Sequence, residues 1–230
     1  MGLWLAAWGV EGGVEGRALA VEAEAEAGAM QAIARALNGS LPWDPSSVPC
    51  DPGPPGNSSA RAGVTCSGGL VVGLELANYG LGVPLAVFLP LCRLSSLQRL
   101  DLSYNGLTGP LLSEWANMTA LAYLDLGCGP SAQGCTGAMP NRLSGGLPGE
   151  WALLGNLTHL DLSGNGLSGP LPPAWAALAL LSYLSLWGNR LSGACGADPL
   201  ASISSAPHSS APPLRLAVRL LRAVVSAGVV

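Results

Sequence analysis

Lysine is absent from this chain, and charged residues of either sign are scarce. All ten basic residues are arginines, charged residues make up 10% of the 230, and the formal net charge is −4. Ordinary globular domains carry roughly 25% charged residues, and nucleic-acid-binding proteins present a basic face to the phosphate backbone. This composition therefore argues against a nucleic-acid partner.

Histidine is almost as rare, since only His159 and His208 occur. Two imidazoles leave little scope for a histidine-based metal site or catalytic triad, and the sequence places no serine or cysteine nucleophile for His159. A phosphate-binding loop and a Cys-x-x-Cys pair are missing as well. We therefore expect no catalysis, no metal site and no cofactor.

Repetition is what the chain has in abundance. The phrase LDLSYNGLTGPL at 100–111 returns at 160–171 as LDLSGNGLSGPL. More or less exact copies of this segment begin at Leu74, Leu100, Leu124, Leu160 and Leu184. Steps of 26, 24, 36 and 24 residues separate these openings, and the long step contains a twelve-residue insertion, 129–140. A period in this range predicts a solenoid.

The units fit L-x-x-L-x-L-x-x-N-x-L, which is the leucine-rich-repeat pattern. In this pattern the L-x-L leucines alternate along a short strand and face inward, and the asparagine amide pairs with backbone groups of the neighbouring coil. The first unit has Tyr79 in place of asparagine, as suits an end coil. We predict an α/β solenoid, a right-handed curved superhelix of about five repeats with a parallel concave sheet.

The end of each unit, written LTGPL, LSGGLP and LSGPLP in three of them, resembles the plant-type subclass of leucine-rich repeats. The resemblance implies a second short strand in each coil and a twisted solenoid. Trp115, Trp151 and Trp175 recur at one register on the convex side, where the family usually has leucine. We interpret them as a stacked layer of the core in preference to a binding stripe.

The region before the repeats resembles the N-terminal cap of the same family. It reads MQAIARALNGSLPWDPSSVPC and ends in GVTC, so the resemblance implies a short helix, Trp43 and a disulfide between Cys50 and Cys66. Such a cap covers the core edge that the first coil exposes.

The remaining cysteines are constrained by the coil spacing. Cys128 and Cys135 flank the insertion and are a candidate disulfide that closes it. Cys92 and Cys195 lie four coils apart, too far to bond at roughly 4.8 Å per strand. We predict that these two are free thiols.

The two ends of the chain differ from the repeats. We divide it into a signal-like acidic leader (1–28), the cap (29–73), the repeats (74–196, with the insertion 129–140) and a Ser/Ala/Pro linker with a basic apolar tail (197–230). The tail arginines, Arg215, Arg219 and Arg222, share one face of a helix and make membrane association through this tail a candidate. Its longest uncharged run, AVVSAGVV, is too short to span a bilayer.

Four glycosylation sequons favour a secretory route, and they begin at Asn38, Asn57, Asn117 and Asn156. The apolar stretch LWLAAWGV near the start resembles a signal peptide but lacks a basic beginning. An extracellular or membrane-associated protein is therefore expected. A cytoplasmic, cytoskeletal or ciliary location remains the alternative.

The outward positions of the stacked strands form columns on the concave face. The middle column is acidic, and the columns beside it contribute tyrosine, histidine and tryptophan. The candidate ligand-binding residues are Arg99, Asp101, Tyr123, Asp125, His159, Asp161, Tyr183 and Trp187. The competing interpretation is that the acids belong to the family's L-D-L-S consensus and serve the scaffold.

We expect a non-catalytic module that recognises a protein or peptide, of the extracellular ligand-binding or co-receptor type. Two alternatives stay open. One is a free-standing inhibitor of a secreted enzyme, as in the polygalacturonase inhibitors, which have the same type of repeat. The other is an intracellular or ciliary scaffold.

Overall fold

Each L-x-L pair folds as one short strand. The computed structural model describes residues 14–41, 43, 50, 63–128 and 139–192. Helix α1 spans Val14–Ala36 and precedes the strands β1 (Val64–Ser67), β2 (Leu70–Glu75), β3 (Arg99–Asp101), β4 (Thr108–Pro110), β5 (Tyr123–Asp125), β6 (Arg142–Gly145), β7 (His159–Asp161), β8 (Gly166–Gly169), β9 (Tyr183–Ser185) and β10 (Arg190–Leu191). Short 3-10 helices lie between them, at η1 (Leu85–Arg93), η2 (Ser113–Asn117), η3 (Gly149–Leu153) and η4 (Pro173–Ala177).

Five parallel strands form the concave sheet, in the order β2, β3, β5, β7, β9. Their register pairs the first leucines of successive units, so that Leu74, Leu100, Leu124, Leu160 and Leu184 lie in one row. The predicted solenoid is therefore confirmed. The cap adds one strand that the repeat pattern does not predict, since β1 pairs antiparallel with β2 at the edge of the sheet.

A second parallel sheet, ordered β10, β8, β6, β4, runs through the L-x-G-x-L segments. Thr108 in β4 pairs with Arg142 in β6, and Ser168 in β8 pairs with Arg190 in β10. Each coil thus contributes to two sheets, as the plant-type resemblance implies.

The convex tryptophans lie inside the core, as predicted. Trp115, Trp151 and Trp175 have no solvent exposure, and their rings stack at 6.4 and 6.2 Å with interplanar angles of 10° and 5°. Each indole N–H donates to a carbonyl of the preceding coil, that of Phe88, Leu112 or Pro148. The indole therefore fills the interior of the coil and also makes a hydrogen bond to the neighbouring coil. A leucine at this position could fill the interior but could not make the hydrogen bond.

The side-chain amides of the repeat asparagines, which we call the asparagine ladder, hold the coils in register across the insertion. Asn141 donates its amide N–H groups to the carbonyls of Leu102 and Leu126, at 3.0 and 2.9 Å. Its Oδ1 accepts the backbone N–H groups of Asn105 and Leu107, at 3.1 and 3.0 Å. All of these groups are buried, so the amide replaces the water that the backbone has lost.

The insertion ends earlier than the sequence suggests. Met139 already pairs with Asn105, and the Gly106 N–H donates to the Met139 carbonyl at 2.9 Å. Residues 139–140 therefore belong to the coil, and 129–138 lie outside the described residues together with Cys135. Cys128 is disulfide-bonded, and the other three described cysteines are accounted for by the Cys50–Cys66 disulfide and the free thiol of Cys92.

The cap is larger than predicted. Helix α1 begins at Val14, and not near residue 29, so part of the acidic leader packs on the first coil. Glu26 is 1% exposed and accepts the Val71 N–H at 2.8 Å, while Glu22 contacts the Ser95 hydroxyl. The Glu-Ala alternation predicts a solvated segment, but helical spacing places Glu26 on the same face as Met30, which is buried against the coil.

The Cys50–Cys66 disulfide is formed and ties Cys50 to strand β1, as the resemblance implies for this pair. Trp43 is buried in the same core. The remainder of the leader (1–13), the sequon at Asn57, Cys195 and the tail 197–230 lie outside the described residues.

Candidate functional site

Four side chains from neighbouring strands stack on one side of the concave face. We call Arg99, Tyr123, His159 and Tyr183 the ring stack. The Arg99 guanidinium lies 3.6 Å from the centre of the Tyr123 ring. The imidazole of His159 lies between the two tyrosines, 4.2 and 4.1 Å from their ring centres and nearly parallel to both. The stack follows directly from the register, because in-register parallel strands lie roughly 4.8 Å apart.

Carboxylates hold both tyrosine rings in place. The Tyr123 hydroxyl donates to Asp125 Oδ2 and the Tyr183 hydroxyl to Asp161 Oδ2, each at 3.3 Å. Burial, with Asp125 and Asp101 nearby, raises the pKa of Tyr123 to about 12. Burial and the charge of Asp161 likewise raise the pKa of Tyr183. Both phenols therefore stay protonated and act as donors to the carboxylates.

His159 is a neutral ring at pH 7. Burial between the tyrosines lowers its pKa below 6.5, Arg99 lowers it further, and Asp161 and Asp101 oppose the shift. Among the described residues, its ring nitrogens have no hydrogen-bond partner. They remain available at the half-buried edge of the stack.

The acidic column serves the strand ends. Asp101, Asp125 and Asp161 each accept the backbone N–H two residues further on, at 3.1, 2.9 and 2.8 Å. A carboxylate that accepts a local backbone N–H stabilises the turn that follows it. The structure therefore favours the scaffold interpretation for these three interactions.

Asp161 departs furthest from the sequence prediction, which places its side chain in the open groove. It is 2% exposed. Its carboxylate occupies the space beside Gly127, where a Cβ would collide with Asp161 Oδ1 and lie 2.7 Å from Ser163 Oγ. The missing side chain at residue 127 therefore allows the burial.

Asp125 has an unusual protonation equilibrium. Burial raises its pKa to about 6, the nearby Asp161 and Asp101 raise it as well, and hydrogen bonds from the Gly127 N–H and the Tyr123 hydroxyl oppose the rise. Because Asp161 is buried, the acidic column exposes fewer carboxylates to a partner than its sequence predicts.

Two exposed features border the site. Arg99 Nε donates to Glu75 Oε1 at 2.7 Å, and the two side chains are 42% and 57% exposed. On the other side of the acidic column, Trp187 is 42% exposed. The column pattern predicted Trp187, but not the Arg99–Glu75 pair.

Tyr104 is a residue that the sequence prediction missed. It follows β3 with a φ of 55°, and burial together with Asp125 and Asp161 raises its pKa. Its phenol therefore lies near the same carboxylates. The signal available was its position shortly after the strand, in the turn that faces the next coil.

The arrangement of stacked rings and fixed hydroxyls is suited to binding. Within the described ranges, no three His, Cys, Asp or Glu residues converge to hold a metal ion. In the same ranges, helix α1 and the 3-10 helices are too short or too polar to cross a membrane.

Known proteins share this architecture. A family model described as Leucine Rich Repeat matches residues 96–118 and 156–178. Receptor-like protein kinase 7 of Arabidopsis thaliana is 42% identical over 66 residues, which is 28% of this chain and 7% of that protein's length. The chain thus spans a small part of this relative.

Two solved structures cover more. The BIR2 ectodomain from Arabidopsis thaliana is 31% identical, with a TM-score of 0.52 over 71% of this chain and 81% of that one. A chain of the BIR3–SERK2 complex from the same plant is 31% identical, with a TM-score of 0.51 over 70% and 82%. With this identity over four fifths of the BIR2 ectodomain, and with its own repeats and cap, the chain belongs to the plant-type leucine-rich-repeat proteins.

Proposed function

We propose that the chain is a non-catalytic protein-recognition module that acts outside the cell, as a receptor or co-receptor ectodomain. The similarity to the BIR2 ectodomain and to a chain of the BIR3–SERK2 complex, over about four fifths of each, supports this proposal. The second of these is an assembly of two named partners. The cap disulfide and the exposed sequons at Asn117 and Asn156 also fit an extracellular location.

The ring stack is the observation that carries the proposal. Its rings lie against one another within 4.2 Å, and two of them are fixed by hydrogen bonds. A partner that contacts this surface need not order the side chains, so little conformational entropy is lost on binding. Aromatic and arginine side chains also dominate the energetics of protein interfaces.

The candidate residues then divide into two roles. Arg99, Tyr123, His159, Tyr183 and Trp187 present their exposed edges to the partner. Asp101, Asp125 and Asp161 position strand ends and tyrosine hydroxyls, and Asp101 and Asp125 supply the remaining negative charge. The surface is therefore mixed in polarity, which suits a protein or peptide ligand.

A non-catalytic role agrees with the position of His159, the one imidazole among the described residues. It is enclosed between two aromatic rings, and neither nitrogen is oriented by a carboxylate or a nucleophile in the described part of the chain. A general base needs such an orienting partner.

The test is a binding screen with the full chain against secreted leucine-rich-repeat ectodomains and secreted peptides. Trp187→Ala should weaken a genuine partner by about thirtyfold, because truncating a central interface tryptophan commonly costs 2 kcal/mol or more. Leu153→Ala is the matched control, since this leucine is 67% exposed in η3, away from the concave strands.

The pair of variants separates the outcomes. A partner lost with Trp187→Ala and retained with Leu153→Ala supports the concave site. A partner that both variants bind like the parent chain contradicts the site, and a screen without any partner contradicts the recognition role.

A further inference from the structure

An exposed leucine lies on the convex side of the solenoid. Leu153 is the last residue of helix η3 and is 67% exposed. A single exposed leucine is ordinary for a protein surface, so its exposure alone indicates no function. The surface beside it is less ordinary, because no charged residue occurs between positions 162 and 189, which include helix η4 of the next coil. This side of the solenoid therefore lacks the charges that usually keep a protein surface soluble.

Two glycosylation sequons flank Leu153. Asn117 is the last residue of η2 as Leu153 is the last residue of η3, so the two residues occupy the same position in successive coils. Trp115 and Trp151, two residues before them, stack with their ring centres 6.4 Å apart, which indicates the spacing of the coils here. Asn156 follows Leu153 by three residues in the same coil. Leu153 therefore lies within one coil of both asparagines.

The two sequons also contact each other. The Asn156 side chain donates an amide N–H to the carbonyl of Thr119 at 2.8 Å, and Thr119 is the third residue of the sequon that begins at Asn117. Both asparagines are exposed. The side chain of Asn117 has no hydrogen-bond partner among the described residues. Sugars attached to the two asparagines would therefore leave the solenoid on the same side, next to Leu153.

Glycosylation uses the side-chain amide nitrogen of asparagine. This nitrogen bonds to the anomeric carbon of an oligosaccharide that is carried on a lipid diphosphate. The bond between that carbon and the diphosphate oxygen breaks, the lipid diphosphate leaves, and the amide loses one proton, with no oxidation or reduction. The modified amide keeps one N–H group, so Asn156 can retain its bond to Thr119. The folded coils can thus accommodate a sugar at both asparagines.

We propose that Asn117 and Asn156 carry N-linked glycans that cover Leu153. This rests on the extracellular location proposed above, because the modification belongs to the secretory route. The first sugars of such a glycan are N-acetylglucosamines, which present C–H groups and an acetamido methyl group. These apolar groups would pack on the Leu153 side chain and remove it from water. The sugar hydroxyls would supply the polar surface that the charge-free coil lacks.

The modification is measured on the full chain, fused to a cleavable secretion signal and secreted from a eukaryotic host. Peptide N-glycosidase in water enriched in heavy oxygen converts each glycosylated asparagine to a labelled aspartate, and peptide mass spectrometry then identifies the sites. We expect the label at both Asn117 and Asn156. A missing label at either asparagine would overturn the proposal.

The covering of Leu153 is measured by comparing melting temperatures. Enzymatic removal of the glycans should lower the melting temperature of the parent chain by about 2–4 °C, since it returns part of one leucine side chain to water. In Leu153→Ser the same treatment should have little effect. Val21→Ser is the matched control and should keep the full decrease, because Val21 is also 67% exposed but lies on helix α1 of the cap. Sugars at any other asparagine cancel, because the treatment removes them from all three chains.

The possible results separate this proposal from the recognition role. An equal decrease in the parent chain and in Leu153→Ser, or no decrease in the parent chain, would show that the glycans do not cover this leucine and would overturn the proposal. A secreted chain that lacks these sugars and still binds a partner through Trp187 overturns only the present proposal. A chain that carries both sugars and finds no partner in the binding screen overturns only the recognition role.

Discussion

Neutralising Asp125 should stabilise the protein at neutral pH. In the folded chain the pKa of this carboxyl is raised from 3.8 to about 6, so its ionisation opposes folding. The substitution Asp125→Asn keeps an oxygen for the Gly127 N–H and removes the charge. The new amide nitrogen would donate to the Tyr123 hydroxyl, which now donates to Asp125 Oδ2.

The magnitude follows from the pKa difference. A shift of about two pKa units corresponds to about 3 kcal/mol, at 1.36 kcal/mol per unit. Because the side chain is only partly buried, solvent screening reduces this figure. We expect Asp125→Asn to raise the free energy of unfolding by about 1–3 kcal/mol at pH 7.

The pH dependence identifies the cause. Because the folded state binds this proton more tightly than the unfolded state, the contribution is fully present below pH 3.8 and is lost as the pH rises through about 6. The parent chain therefore loses stability across this window, and Asp125→Asn does not. The difference between them should be near zero at about pH 3.5 and reach its full value by about pH 7.

Urea unfolding followed by tryptophan fluorescence at a series of pH values measures this difference. Glu150→Gln is the control, because it neutralises an exposed carboxylate in η3, far from the acidic column, and should change little at any pH. An advantage of Asp125→Asn that is equal at the acidic and neutral ends of the series, or a loss of stability at neutral pH, would refute the electrostatic explanation.

Two further substitutions test the scaffold. Asn141→Ala should lower the free energy of unfolding by at least about 2 kcal/mol, because it leaves the buried N–H groups of Asn105 and Leu107 without acceptors. It also removes one of the two amide donors to the carbonyls of Leu102 and Leu126, which keep those of Asn105 and Asn165. The exposed Ser144→Ala should have little effect, and comparable urea midpoints for the two variants would contradict the ladder. Gly127→Ala should lower the free energy of unfolding by about 1–3 kcal/mol and displace the Asp161 side chain. A crystal structure with Asp161 unmoved, or an unchanged melting temperature, would show that the space beside Gly127 is not required.

The sequence predicted the parts of the fold that repeat. A leucine at the same position in each of five units points into the core every time. The register of β2, β3, β5, β7 and β9 therefore follows from the leucine positions alone. The asparagine ladder and the buried tryptophans were predictable for the same reason. Asn141 was predictable even across the insertion, because the letters on either side of it complete one unit.

The features that were missed depend on single contacts between coils. The burial of Asp161 depends on the absence of a side chain at Gly127, one coil earlier, and no periodicity records that pairing. The docking of Glu26 likewise depends on one unpaired N–H, that of Val71 at the start of the sheet. Aspartate and glutamate side chains are usually exposed to solvent. A buried carboxylate can be recognised only from the backbone N–H group that it accepts in the folded structure.

The same register that builds the core also divides the concave face into positions of unequal freedom. A residue in the middle column lies beside the turn that follows its strand. In three coils this residue is an aspartate whose carboxylate accepts a backbone N–H of that turn, as Asp101 does. A residue in the ring stack contacts the side chains above and below it, and the hydroxyls of Tyr123 and Tyr183 also donate to the carboxylates of Asp125 and Asp161, but none of these contacts involves the backbone. Substitution at Tyr123 or Tyr183 therefore alters the surface without removing a backbone hydrogen bond, whereas substitution at Asp161 removes one. Specificity for a partner can accordingly vary in the side columns while the acids stay constant. For this reason the recognition that we propose falls to the ring stack and Trp187, while the aspartates stabilise the turns.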